Sequence, residues 1–425
     1  MKKLITFVLL MLGVGVNVVE AQDTYTVVGE NLGDQALTWT ETDTFGDMAQ
    51  VGETTTYSIT FKEVKFTSTQ TFAFKVVKDH SFDNAWPSGY NNNYTHSYDA
   101  GVYDITITFN TSDSSIGLSD VGRMYIVKST NNFSNHTVGD LMDYADGVHS
   151  VTFDATANTS FLIVPSWALN SDQTAISNDK WNYVICPVAN NWYTVVLQHM
   201  AGSVSTSNNE KKWYFAEDAN YTVVYNSSAS TFTIDAKKEY AIGSAGWSTY
   251  SIGKEETSYG FTISDADAYY VSEASESKAT LTHIASGAII PTGAGIMVNG
   301  SKFTMETTGT NGTTLTDNML VGTSYHNDYD LWRDGQYVLK EIDGKLGFYM
   351  VDMNGSDKRI APHKAYLDTN GATVRSFIGF NDETNSINTA VVQQTNGVVY
   401  TLSGQRVARL QKGLFIIDGK KVIIK

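Results

Sequence analysis

The chain has 425 residues, a formal net charge of −16, a single cysteine and 12% aromatic residues. This length suggests about three domains, and so acidic a surface repels phosphate backbones, which argues against nucleic acid as a partner. One cysteine cannot form an intramolecular disulfide, so each domain must be stabilised by its own core.

The first 21 residues read as a targeting segment. Lys2 and Lys3 open it, an apolar run extends from Leu4 to Val19, and Val19-Glu20-Ala21 supplies small residues at the positions a signal peptidase reads. The alternative is a membrane anchor, but the uninterrupted apolar stretch Ile5 to Leu12 is short for a bilayer span and no positive stop follows it. No cysteine stands at the cleavage point, which argues against lipid attachment. No other stretch is apolar enough for a transmembrane segment, and removal of residues 1–21 makes the chain one unit more negative.

Short alternating runs then recur between Gly, Asn, Asp and Ser clusters, the pattern of half-buried strands joined by turns. Tyr57, Ile59 and Phe61 share one face, as do Phe72, Phe74 and Val76. Tyr103, Ile105, Ile107 and Phe109 share another, with Asp104, Thr106 and Thr108 turned outward. The fold class expected is all-β, with one short helical turn near Thr137 to Tyr144. Segment 68–78 is echoed by 157–167, and 92–116 by 208–235, so two diverged copies of one unit are expected. They imply tandem β-sandwich modules at 22–120 and 121–237. Region 238–382 reads as a further β-domain, with turn signals such as Asp343-Gly344. A linker and tail, 383–425, follow.

Cys186 sits in the apolar string Tyr183-Val184-Ile185-Cys186-Pro187, where a buried small hydrophobe is the simpler reading than a nucleophile. Asp328 to Gly335 is loosely similar to a calcium loop, but its spacing is not that of an EF-hand and a solvated turn accounts for it. The eight histidines form no metal-ligand motif and Gly-x-Ser-x-Gly is missing, so neither a metal nor a cofactor nor an enzyme is expected. A glycosidase carboxylate pair would leave no local signature.

The tail contains Tyr400-Thr401-Leu402-Ser403-Gly404-Gln405-Arg406-Val407, then Lys412-Gly413-Leu414-Phe415-Ile416-Ile417, then Lys420 to Lys425. Physically this is a small strand set, with Asp418-Gly419 suited to a tight turn. It resembles the C-terminal sorting domain of Bacteroidetes type IX secretion cargo, which an outer-membrane secretion machinery reads. The resemblance implies a secreted or surface-displayed protein; a last structural hairpin, leaving the protein periplasmic, is the alternative. Gly246-Trp247-Ser248-Thr249-Tyr250, Ile290 to Gly295, Gly347-Phe348-Tyr349 and Ala361 to Leu367 resemble a β-domain common ahead of such tails, from which no activity follows.

The string Phe72 to Trp86 resembles the strand and loop of starch-binding β-sandwiches found in pullulanases and outer-membrane starch-utilisation proteins, with Phe82 where that pattern has Trp. The resemblance implies glycan binding, with an α-glucan as the ligand class and Lys75 and Lys78 on the binding strand. Aromatic rings pack on the apolar faces of sugars while amides and charged groups meet the hydroxyls. The loop Trp86 to Tyr94 offers that mixture through Trp86, Tyr90 and Asn92, and Trp167, Trp181 and Trp192 offer it in the second copy. The competing reading of each Trp is core packing. The leading function is therefore non-catalytic carbohydrate binding, and a structural or adhesin-like surface protein is the alternative. Deleting residues 397–425 should strand the protein in the periplasm on cell fractionation; a truncated chain that still reaches the surface or medium would leave the tail as a hairpin only.

Overall fold

The computed structural model describes the chain from residue 23 onward, except residues 131–134, 189–191, 207–210, 254–258, 276–277, 324–328, 332–334, 352–358, 372–375, 381–398, 402–412, 418–419 and 425. The expected signal segment, the linker and much of the calcium-like loop at 328–335 lie outside the described residues. The fold is all-β: among the described residues the only helical pieces are two single 3-10 turns, Ser166–Ala168 and Trp181–Tyr183. No helix among the described residues is long and apolar enough to cross a membrane. The helical turn expected near Thr137 to Tyr144 is not there; strands Asn135–Leu141 and Asp143–Ala145 occupy it. Gly139 and the β-branched pair Thr137-Val138 disfavour a helix at that point.

The chain forms two compact units, Met1–Tyr125 with Val164–Val184, and Ile126–Ile163 with Ile185–Lys425. Unit 1 contains strands β1 (Tyr25–Glu30), β2 (Ala49–Gln50), β3 (Thr56–Phe66), β4 (Gln70–Lys78), β5 (Ser81–Trp86), β6 (Tyr94–Tyr98), β7 (Gly101–Asn110) and β8 (Ser115–Gly122). They make two four-stranded sheets, one in the order β2-β3-β7-β8, the other built around β4, which pairs with β1, β5 and β6. Val27, Phe72, Phe74 and Val76 from one sheet meet Phe61, Ile105, Ile107 and Phe109 from the other in a single buried cluster. This is sandwich packing, in which alternate residues of each strand fill the space between sheets.

Strand β3 departs from simple alternation. Tyr57 and Phe61 are buried at odd positions and Val64 and Phe66 at even ones, which would turn half the strand outward. A bulge between Phe61 and Val64, with Glu63 at φ 54°, inserts the extra residue that restores the inward face. Asp104 stabilises the bulge: its Oδ1 accepts the Glu63 amide at 2.8 Å and Arg123 Nη1 at 3.0 Å. Alternation along β7 places Asp104 outward, yet it is buried together with Arg123. The bulge and the guanidinium explain the difference, because they supply partners that a carboxylate there would otherwise find in water.

Unit 2 repeats part of this arrangement. Val148–Ala155 pairs with Ala219–Asn226, which pairs with Thr231–Ala241, the same order as β3-β7-β8. Even a cross-strand hydroxyl contact recurs, Thr60 to Thr106 at 2.8 Å and Thr152 to Thr222 at 2.9 Å. The boundary expected after residue 237 falls inside Thr231–Ala241, because the far end of that strand pairs with Lys302–Asn311 and carries the sheet onward. The boundary expected after residue 120 likewise falls inside β8, and residues 164–184, assigned by sequence to the second module, belong to unit 1. A nine-stranded sheet completes unit 2 and includes the hairpin Gln336–Ile342 and Lys345–Met350, whose turn residues Asp343 and Gly344 both have positive φ, at 51° and 70°. Cys186 is buried, with its thiol donating to the Ser205 carbonyl oxygen at 3.3 Å. In the tail, Gly413–Ile417 pairs with both Val399–Thr401 and Lys420–Ile424.

The Asp104 arrangement makes a specific prediction. Asp104→Ala removes a partner of a buried guanidinium and should lower stability by about 3 kcal/mol in urea unfolding. Asp104→Asn keeps an acceptor for the Glu63 amide and should lose less. Equal stability of wild type and Asp104→Ala would show that the bulge does not depend on this carboxylate.

Candidate functional site

The site is built around a lysine that has left water. β4 carries Phe72, Phe74 and Val76 into the core of unit 1, and Lys75, between them, is only 4% exposed. Its ammonium donates to the carbonyl oxygens of Pro87, Gly89 (2.8 Å) and Asn92. A lysine has three N–H donors, so all are committed to the loop that joins β5 to β6. Burial pushes its pKa below the ordinary lysine value. The loop adds its own bonds: the Asn92 amide donates to the Gly89 carbonyl at 3.2 Å and Asn92 Nδ2 to the Ser88 carbonyl at 3.2 Å. Gly89 has φ +95°, a backbone conformation that L side chains resist, so glycine suits this corner.

The loop so held forms one wall of a groove of about 780 Å³ within unit 1. Trp39, Phe82 and Tyr90 contribute aromatic surface, while Asp83, Ser88, Asn91 and Asn93 contribute polar groups. Tyr90 is 97% exposed and Phe82 41% exposed, unusual for rings of this size in a folded domain. Trp39 arrives from a strandless segment, and several bonds explain its place. Thr38 accepts the Gly29 amide at 3.0 Å, the Glu41 carboxylate accepts the Phe82 amide at 2.6 Å, and His80 Nδ1 donates to the Glu41 carbonyl at 2.9 Å. Asn93 Oδ1 is buried with no protein donor against it.

The residues expected from sequence divide into distinct groups. Lys75 and Tyr90 line the groove; Lys75 acts through its loop, with no donor left for a ligand. Asn92 also serves the loop, its side chain folded back onto Ser88. Lys78 lies outside the groove lining and pairs with Asp23 at 2.7 Å. That hydrogen bond raises its pKa. Trp86 is half-buried against the sandwich core, its ring 4.8 Å from Phe109 and 6.2 Å from Tyr25, so it packs as a core residue. Trp167 packs on the same core, with Tyr183 edge-on at 4.8 Å and Lys180 Nζ 5.6 Å from its ring centre. Trp181 is half-buried in the second 3-10 turn, and neither it nor Trp86 nor Trp167 lines the groove. The backbone of Trp192 lies in strand Trp192–Val195, and its side chain is outside the described ones.

Sequence reasoning missed Trp39, Asp83, Asn91 and Asn93 as lining residues. Asn91 and Asn93 stood inside the loop singled out, and Phe82 stood where the starch-binding pattern has Trp, so that signal was present. Nothing in the local sequence around Trp39 marks it, because bonds from Gly29 and Phe82 to its neighbours Thr38 and Glu41 bring it there. Among the described residues, no group of three or more His, Cys, Asp or Glu is placed to hold a metal ion.

Comparison with protein-family models and with curated proteins finds no match. Among solved structures, a distant likeness is found to SusF from Bacteroides thetaiotaomicron, at 12% identity and a TM-score of 0.22, covering 65% of this chain and 71% of that one. A likeness this slight carries no argument about either fold or activity.

Replacing Lys75 tests the account of the loop. Lys75→Met keeps an unbranched stem beneath the loop and removes all three bonds, so the amides of residues 88–92 should exchange with deuterium at least tenfold faster, corresponding to about 1.4 kcal/mol or more of lost local stability. Unchanged exchange in that segment would show that the ammonium does not hold the loop.

Proposed function

We propose that this chain binds carbohydrate, without transforming it, in the groove of unit 1. The observation that carries the reading is the exposure of Tyr90 and Phe82 beside Asn91, Asn93 and Ser88. Rings presented to solvent next to amides and a hydroxyl suit sugars, whose C–H faces pack on aromatic surface while their hydroxyls take hydrogen bonds. An α-glucan is the ligand class we favour, on the resemblance of Phe72 to Trp86 to starch-binding modules. Catalysis has little to work with here: Asp83 is the one carboxylate among the described residues lining the groove, whereas glycoside hydrolysis ordinarily needs a pair.

The setting of this activity is read from the two ends of the sequence. Lys2, Lys3 and the apolar run after them support export, and the Lys-Gly-Leu-Phe-Ile-Ile segment at 412–417 supports delivery by type IX secretion machinery to the cell surface or medium. Glycan capture outside the cell is the role these features make together.

Affinity electrophoresis tests the proposal. The mature protein should be retarded in gels containing starch or pullulan, and Tyr90→Ala should weaken binding about tenfold, a change of about 1.4 kcal/mol. Tyr90 is nearly free of protein contacts, so this variant should unfold at the wild-type temperature. Unchanged mobility across a broad panel of polysaccharides would overturn the reading.

A further inference from the structure

A second cavity, of about 340 Å³, lies within unit 2, where two strands of its nine-stranded sheet part. Strands Gln336–Ile342 and Ala365–Asp368 pair only through Gln336 with Asp368 and Tyr337 with Leu367. Beyond those pairs the strands separate, and Ser248 and Lys364 line the gap between them. The backbone of Lys364 is fixed on both sides. Its amide donates to Thr323 Oγ1 at 3.1 Å, and its carbonyl oxygen accepts the Thr323 amide at 2.9 Å. The Lys364 ammonium donates to Ser248 Oγ at 2.9 Å. The Ser248 hydroxyl directs its own hydrogen to the Thr249 carbonyl oxygen, 3.2 Å away, so its oxygen is the acceptor for the lysine. One of the three N–H donors of Lys364 is thereby committed. No carboxylate among the described residues pairs with it. Desolvation lowers the pKa of this half-buried ammonium from the ordinary lysine value.

The surroundings of Lys364 indicate what would answer its charge. Leu331, Val351 and Ile360 belong to a small buried cluster against which Val338 packs, and all four line the cavity. Lys340 and Arg359 are exposed at its rim, so the described lining residues carry three cations against one carboxylate, Glu341. Alternation along Gln336–Ile342 turns Lys340 to the side of Val338, and Glu341 to the opposite side with Leu339. In a chain of net charge −16 this is a local reversal of sign. From this we infer that unit 2 binds a small carboxylate with an apolar body, aliphatic or aromatic, whose anionic end pairs with Lys364. A hydrogen bond between two charged groups is stronger than a neutral one, and a half-buried ammonium gains most from it. Inorganic phosphate would satisfy the charge and leave the apolar wall uncovered. A sugar acid would set hydroxyls against aliphatic side chains that offer them no partner. The cavity is at the small end of the range for small-molecule sites, which limits the ligand to a compact body. This site is distinct from the groove of unit 1 and does not depend on sugar binding there.

Calorimetric titration of the full mature protein with 4-phenylbutyrate tests the site. The alcohol 4-phenylbutanol has the same body without the charge and should bind at least about tenfold more weakly. Glucuronate and inorganic phosphate have the charge without the apolar body, and each should also bind at least about tenfold more weakly. Lys364→Met keeps an unbranched side chain and should lower the affinity for phenylbutyrate at least about tenfold, whereas Lys364→Arg should retain most of it. Hydrogen–deuterium exchange of the wild type, which needs no variant to fold, should show protection by phenylbutyrate at residues 338–341 and 359–365. Absence of phenylbutyrate binding, equal binding of acid and alcohol, full affinity in Lys364→Met, or protection only elsewhere would overturn the inference. Glucuronate or phosphate binding as tightly as phenylbutyrate would overturn the assigned ligand class.

Discussion

A lysine ammonium that has left water must find acceptors for its hydrogens, and Lys75 finds them in three carbonyl oxygens of a single loop. The constraint runs both ways. The strand cannot bury Lys75 unless the loop folds over it, and the loop cannot keep its carbonyls directed inward without the ammonium beneath. A buried charge partnered only by neutral groups tolerates little displacement. The outer face of the loop, which presents Tyr90, Asn91 and Asn93, is thereby given a definite form. A surface for ligands arises here from a charge the ligand never touches.

That arrangement depends in turn on the sandwich beneath it. β4 turns Lys75 toward the loop because Phe72, Phe74 and Val76, at alternate positions, are fully buried in the core on the strand's other face. The opposite sheet stays in register to meet them because the bulge in β3, supported by Asp104 and Arg123, keeps Phe61, Val64 and Phe66 all facing inward. Trp86, at the end of β5, packs on Phe109 and fixes where the loop begins. Local choices in three strands therefore converge on one groove, which is the consistency expected of a sequence that specifies its fold.

The class of fold was legible in the sequence because period-2 alternation is a direct record of half-buried strands, and the cleanest run, Tyr103 to Phe109, lies in β7 with its odd residues buried. The Asp343-Gly344 turn was legible for a similar reason, since few residue pairs accept positive φ twice. Side-chain roles were less so. Lys75 and Asn92 have the composition of a sugar site, but only geometry shows that their polar groups face the loop. Trp86 and Trp167 look alike to a composition argument whether buried or exposed, and the packing of Phe109 and Tyr183 against them decides the matter. Trp39 is brought to the groove by hydrogen bonds to partners far along the chain, a kind of contact that no local pattern records. The boundary expected at residue 237 is bridged within unit 2, because strand Thr231–Ala241 serves two neighbours in succession.

The account makes the groove beside Tyr90 the place where sugar meets protein. Hydrogen–deuterium exchange of the mature protein with and without a saturating soluble α-glucan measures this most directly. Protection should appear at residues 82–93 and around Trp39, with exchange in unit 2 unchanged. Binding without protection there, or with protection confined to unit 2, would contradict the account.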